Sequence, residues 1–163
     1  MNLVIKNMKY SKFASQETNC FECDIYFDGK KTLRAFNDGR GGTTRFDKYV
    51  EDGFMTLKLY TEFVNSTNLM DDCIQKTSCE IIDIEVQDYL IKKDSIRHLK
   101  SLLKKSIVFL TNSNEIRYYR IIPNEVNIAK IKTNYPKDII LNCLAFDQAL
   151  SIFRENLTKT KNA

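Results

Sequence analysis

The sequence predicts an α+β fold, with a small N-terminal antiparallel sheet packed with helices and a second hairpin in the C-terminal half. Three observations predict it. Apolar and polar residues alternate through residues 2–9, 20–27 and 31–36, with an Asp28-Gly29 turn between the last two runs. The apolar spacing lengthens to a helical period from residue 44 onward. Alternation then returns between residues 106 and 121.

Residues 2–9 set Leu3, Ile5 and Met8 against Lys6 and Lys9 and predict a strand. Residues 10–19 are polar and turn-rich and predict a loop. Residues 20–27 place Phe21, Cys23, Ile25 and Phe27 on one face, with Glu22, Asp24 and Tyr26 on the other. Residues 31–36 return as a strand, Leu33 and Ala35 opposite Arg34 and Phe36. From Thr44 to about Asn65 the spacing of Phe46, Val50, Phe54, Leu57 and Val64 predicts a helix, with Gly53 a weak point in its middle. Residues 65–79 are polar and predict a loop.

Residues 80–105 predict two helical pieces. Ile82, Val86, Tyr89 and Leu90 share one face, and Ile96, Leu99 and Leu103 share another, rotated by about a quarter turn. Asp94-Ser95 are good N-cap residues, so a break is expected there. Ser106–Leu110 and Ile116–Ile121 predict the second hairpin. Residues 124–133 predict a short helix, Ile139–Leu141 a short strand, and Leu144–Asn156 a final helix with Phe146, Leu150 and Phe153 inward. The expected organisation is one domain over residues 1–157, divisible into 1–66 and 80–157, with a frayed tail at 158–163.

At 163 residues and 43% hydrophobic composition the chain can bury a real core, which excludes wholesale disorder. No apolar run reaches 18 residues and no signal-peptide pattern opens the chain, so no membrane span and a cytoplasmic location are expected. Five cysteines in a reducing compartment predict free thiols. Cys20 and Cys23 form a CxxC spacing, but on a strand they point to opposite faces, and Cys73 and Cys79 supply no matching second pair. No metal ligand and no cofactor is assigned.

Asn37-Asp38-Gly39-Arg40-Gly41-Gly42-Thr43 holds three of the five glycines and is the first candidate binding segment. Two readings stand. One is a structural turn with Thr44 as the N-cap of the following helix. The other is an anion cradle, in which amides at that helix start bind phosphate and Arg40 and Arg45 add charge. Its GxGG spacing matches neither the GxxxxGK[ST] phosphate loop nor the GxGxxG dinucleotide turn.

Lys93, Arg97, Lys100 and Lys104, at i, i+4, i+7 and i+11, form the second candidate, a basic stripe on one helix face. Such a stripe tracks phosphates or an acidic protein, or is a solvated face. Net charge is +4, which permits nucleic acid or an acidic partner and demands neither.

Catalysis has little to stand on. His98 is the single histidine, GxSxG and HExxH are absent, and no catalytic residue is assigned. Asp24 and Asp38 are the carboxylates that could hold Mg2+ near the glycine loop, although nothing in their spacing forces it.

Ser11-Lys12-Phe13-Ala14-Ser15-Gln16-Glu17-Thr18-Asn19-Cys20-Phe21, Phe27-Asp28-Gly29-Lys30 and Asn37-Asp38-Gly39-Arg40-Gly41-Gly42 together resemble a family of small proteins of bacteriophages and prophages. Asp88-Tyr89-Leu90-Ile91 with its lysine-rich continuation is also similar, so the resemblance covers about two thirds of the chain. Members often carry His where this chain has Arg40. The resemblance implies context rather than activity: accessory proteins of the host cytoplasm that modify or block host machinery, including defence systems. The expected function is therefore a non-catalytic phage or prophage accessory protein. Its expected partner is a host protein or ribonucleoprotein complex, with nucleic acid as a further candidate. The alternative is a small metal-dependent enzyme acting on nucleotides or nucleic acid through the glycine loop and nearby carboxylates.

Overall fold

The computed structural model describes residues 1–67 and 75–159, with side chains to residue 157. Cys73, with residues 68–74 of the loop expected at 65–79, and residues 160–163 of the expected tail lie outside the described residues. The fold is α+β. Four strands, β1 (Leu3–Tyr10), β2 (Cys20–Phe27), β3 (Lys30–Asp38) and β4 (Arg45–Lys48), form an antiparallel sheet in chain order. Helices α1 (Gly53–Thr67) and α2 (Ser78–Lys105) follow. Then come β5 (Ile107–Leu110), β6 (Ile116–Tyr119), α3 (Glu125–Asn134), β7 (Ile139–Ile140), a 3-10 turn at Leu141–Cys143 and α4 (Phe146–Lys159). The chain divides into two compact units, Met1–Tyr89 and Leu90–Ala163, and the division falls inside α2.

In the first unit β2 and β3 carry the core. Phe21, Cys23, Ile25 and Phe27 are buried along one face of β2, and Leu33 and Ala35 along the same face of β3. The β2–β3 turn uses Asp28 and Gly29 at φ +47° and +85°, the left-handed pair that matches strand twist in a two-residue hairpin. α1 seats on this face. A side chain at Gly53 would meet Leu33 Cδ2 at 3.0 Å and the Thr32 carbonyl at 3.1 Å, so the helix begins where only glycine fits closely. Leu57 and Tyr60 turn inward, and the Tyr60 ring lies 5.3 Å from Phe27. Ile81, Ile82 and Val86 of α2 complete the buried set.

Two expectations need correcting here. Residues 45–48 are a strand and not the first turn of a helix. Phe46 pairs with Ala35, while Arg45 and Asp47 pair with Phe36 and Arg34, and this alternation satisfies the edge of the sheet. The helix begins nine residues later than expected, so Gly53 opens it and does not interrupt it. The expected break at Asp94-Ser95 is also absent. α2 runs unbroken, and the Ser95 hydroxyl donates to the Ile91 carbonyl at 2.8 Å, a bond to the preceding turn. The offset between the two apolar faces marks the change of unit along one helix.

In the second unit β5 is central, with order β6-β5-β7. It is buried on both faces. Val108 packs with Leu99, Leu141, Ala149, Leu150 and Phe153, and Ile107 and Phe109 pack with Ile131 and Ile140. The Asn142 side chain pins the end of α2 to β5. Its oxygen accepts from the Val108 amide at 2.7 Å, and its nitrogen donates to the Leu103 and Ser106 carbonyls at 3.2 and 3.0 Å. Asn124 caps α3 by accepting from the Asn127 amide. Among the described residues no helix is long and apolar enough to cross a membrane.

Leu33→Ala is expected to cost about 3 kcal/mol, because Leu33 is wholly buried between the sheet and α1 and its loss leaves a cavity. Denaturant unfolding of the variant checks this.

Candidate functional site

The glycine segment joins β3 to β4, so no helix N-terminus stands at Thr43 or Thr44. Several of its amides are already bonded within the chain. The Gly39 amide donates to Asn37 Oδ1 at 2.8 Å, the Arg40 amide to Asp38 Oδ1 at 3.3 Å, and the Gly41 amide to Thr18 Oγ1 at 3.4 Å. This favours the structural-turn reading, with one change. Thr44 is buried and caps nothing; its hydroxyl donates to Asp83 of α2 and its carbonyl accepts from the Cys79 thiol at 3.3 Å. Arg40, Gly41, Gly42 and Thr43 are exposed, and Asp38 accepts from Arg45 Nη2 at 3.0 Å.

What the turn holds is the 11–19 loop. The Gly39 carbonyl accepts from the amides of Gln16, Glu17 and Thr18 at 2.9, 3.0 and 3.4 Å. Gly39 has φ +82°, and a Cβ there would collide with the Ala14 carbonyl and with Cys20 Cβ. Asn37, only 5% exposed, is the pivot. Its oxygen accepts from the Gly39 amide and from the Thr18 hydroxyl at 2.9 Å, and its nitrogen donates to the Gly42 carbonyl at 2.8 Å. The loop also binds itself. Ser15 donates its hydroxyl proton to the Ser11 carbonyl at 2.8 Å and accepts from the Cys20 amide at 2.8 Å, and the Ser11 amide donates to the Cys20 carbonyl at 3.0 Å.

The product of this bonding is an exposed aromatic. Phe13, at the head of the loop, is 99% exposed, with Lys12 beside it. Sequence reasoning missed it. The available signal was an aromatic residue inside a polar turn segment, where no strand or helix period accounts for it.

The outer face of the sheet carries a charged network. Glu22 contacts Arg34 at 2.9 Å and Lys9 at 3.2 Å, and these partners hold its carboxyl below the ordinary carboxylate range. Asp24 is deeper, at 8% exposure. Burial pushes its carboxyl up, but hydrogen bonds from Asn7 at 2.7 Å, Lys31 at 3.0 Å and Tyr49 at 2.8 Å outweigh that and hold it below its usual value. A bulge in β1 places Asn7, at φ +52°, against Asp24, and Lys31 lies 3.9 Å from the centre of the Tyr49 ring. A cleft of about 570 Å³ opens over Asn7, Asp24, Lys31 and Tyr49.

Asp24 and Asp38 are not brought together. Asp24 lies opposite Arg34 in the sheet and Asp38 opposite Cys20, which places the two carboxylates about four residues, or roughly 13 Å, apart along the strands. No group of three or more His, Cys, Asp or Glu side chains converges among the described residues. Cys20, Cys23, Cys79 and Cys143 are free thiols, and burial pushes the Cys23 thiol up to about 12, which makes it a poor nucleophile.

Lys93, Arg97, Lys100 and Lys104 are all exposed on α2, over about 16 Å of helix, within the second unit. Arg97 lies 3.6 Å from Asp94, and Lys100 lies 5.3 Å from the Phe146 ring centre. His98 is exposed and meets Phe153 edge-on at 5.6 Å. Charge is segregated between the units. Met1–Tyr89 holds eleven Lys and Arg against fifteen Asp and Glu, a net −4, and Leu90–Ala163 holds fourteen against six, a net +8.

Comparison with protein-family models, with curated proteins and with solved structures finds no match.

Gly39→Ala is expected to cost 2 kcal/mol or more, from left-handed backbone strain plus the Ala14 collision, whereas Arg40→Ala changes stability by less than about 0.5 kcal/mol. Thermal melts of the two variants compare them directly. For Asp24 the folded state favours the carboxylate, so its contribution is present above the ordinary carboxylate pKa and is lost as pH falls through the lower folded value. Melting wild type and Asp24→Asn from pH 7 to pH 2.5 should show a gap that closes at the acid end.

Proposed function

We propose that the protein is an accessory protein of the phage or prophage kind that acts by binding a host macromolecule, without catalysis, and that the 11–19 loop is its contact. The observation that carries this reading is Phe13, wholly exposed on a loop that the glycine turn and Ser11, Ser15 and Thr18 hold in place. Exposing a phenylalanine stabilises nothing in the free chain. A rigid aromatic entering a pocket is the usual energetic centre of a protein interface, and holding it in place beforehand reduces the ordering cost of binding. Two of the stretches on which the resemblance rests, 11–21 and 37–42, build this loop and its support. It supports a host protein or ribonucleoprotein complex as partner, and interference with a host defence system as the effect.

The charge segregation favours a second contact. A unit of net +8 with four cations along one helix face suits a polyanion, such as the nucleic acid of a ribonucleoprotein. The enzymatic alternative gains no support from the carboxylates, since both oxygens of Asp24 are engaged by neighbours within the sheet.

Phe13→Ala is expected to lose capture of the host partner from lysate, and interference in a host-defence assay, with an unchanged melting temperature. Undiminished capture by that variant would remove the loop as the contact. For the stripe, Arg97→Glu with Lys100→Glu should reduce binding of the captured nucleic acid and flatten its salt dependence. Four phosphate contacts correspond to a log–log slope of about −3 to −4.

A further inference from the structure

α1 carries a second apolar surface that the proposed host contact does not use. Its inner side, Leu57 and Tyr60, is buried in the first unit. Its outer side shows Met55, Leu59 and Phe63 at 59%, 52% and 48% exposure. These residues stand at i, i+4 and i+8 and form one continuous stripe along the helix. Together they expose roughly 300 Å² of apolar surface, the size at which a patch on a monomer is often a contact site.

The flank of the stripe identifies what covers it. Lys58 and Glu62 lie on the same side of it, both exposed, and neither has an ion-pair partner among the described residues. Two copies of α1 packed antiparallel about a two-fold axis bring each flank against the same flank of the other copy, running the opposite way. With the axis at the level of residue 60, Lys58 of each copy comes opposite Glu62 of the other, and Leu59 lies about 1.5 Å from the centre along the helix. The stripe is thus complementary to itself in charge. Two such stripes with their charged flanks bury on the order of 1,000 Å² in total, at the lower end for specific interfaces, which corresponds to a reversible dimer.

We propose that the protein forms a two-fold dimer through α1, with Met55, Leu59 and Phe63 as its apolar seam and two Lys58–Glu62 pairs across it. Sedimentation velocity on the full chain over about 1–200 µM tests this, a range that brackets the micromolar affinities of reversible complexes. Wild type is expected to pass from monomer to dimer within it, and Leu59→Glu to remain monomeric with an unchanged melting temperature. Lys58→Glu and Glu62→Lys should each weaken the dimer by about tenfold or more, because each places like charges together twice. An equimolar mixture of those two variants should recover wild-type affinity as a heterodimer. A wild type that is monomeric across the whole range overturns the proposal, as does a dimer that survives Leu59→Glu. Failure of the mixture to recover affinity overturns it too, because the pairing across the axis is then wrong.

Discussion

The side-chain amide of Asn37 is the interaction on which the N-terminal half of the molecule depends. It is buried, and both its ends are engaged. Its oxygen holds the glycine turn and, through Thr18, the 11–19 loop. Its nitrogen holds the far side of the turn at Gly42 and reaches Thr44 at 3.5 Å, and Thr44 in turn meets Asp83 and Cys79 of α2. One residue at the end of β3 therefore links a sheet edge, two loops and a helix. A buried amide with unmet bonds costs more than the bonds themselves contribute, so such a hub is specified by what its absence would leave unpaired.

The two units are stabilised by different means. The first hides one face of a four-stranded sheet under helices and dresses the other with ion pairs that water largely screens, Asp24 excepted. The second has a short sheet whose central strand is buried on both sides, so every residue from Ile107 to Phe109 contributes to a core. Its surface is left free to carry cations, and it does so in excess. Self-repulsion from a net +8 on a small unit disfavours compactness, so the polyanionic partner proposed above would stabilise the unit on binding.

Most of the fold was legible because its strands alternate and its helices are long. Phe21, Cys23, Ile25 and Phe27 are buried together, as their period of two required. Asp28-Gly29 turns as its chemistry dictates. The helix expected from Thr44 failed for a definite reason. Phe46 and Val50 are four apart and so fit a helix, but Phe46 also fits the two-residue period of a four-residue edge strand, and pairing with β3 decides between the two. The break expected at Asp94-Ser95 rested on capping propensity. That propensity lost to the packing of Ser95 and Leu99 in the second unit. The glycine segment forms a turn, as its composition indicated, but what the turn bonds is a loop twenty residues earlier, and no local pattern reports such a contact.

The stretches that carry the phage-type resemblance can be separated, residue by residue, into those with a structural reason and those without one. Ser11, Ser15 and Thr18 make the bonds that close the loop; Ala14 abuts Gly39; Asn37, Gly39 and Gly41 supply the pivot, the close approach and the left-handed backbone. Cys20 and Phe21 open β2. The side chains of Lys12, Phe13 and Arg40 are needed by none of this, and all three are exposed. A loop framed by so many specific bonds would fold equally well with a polar residue at its head, and more cheaply with respect to solubility. Among the described residues nothing accounts for the phenylalanine at position 13, and the contact proposed above would supply the missing reason.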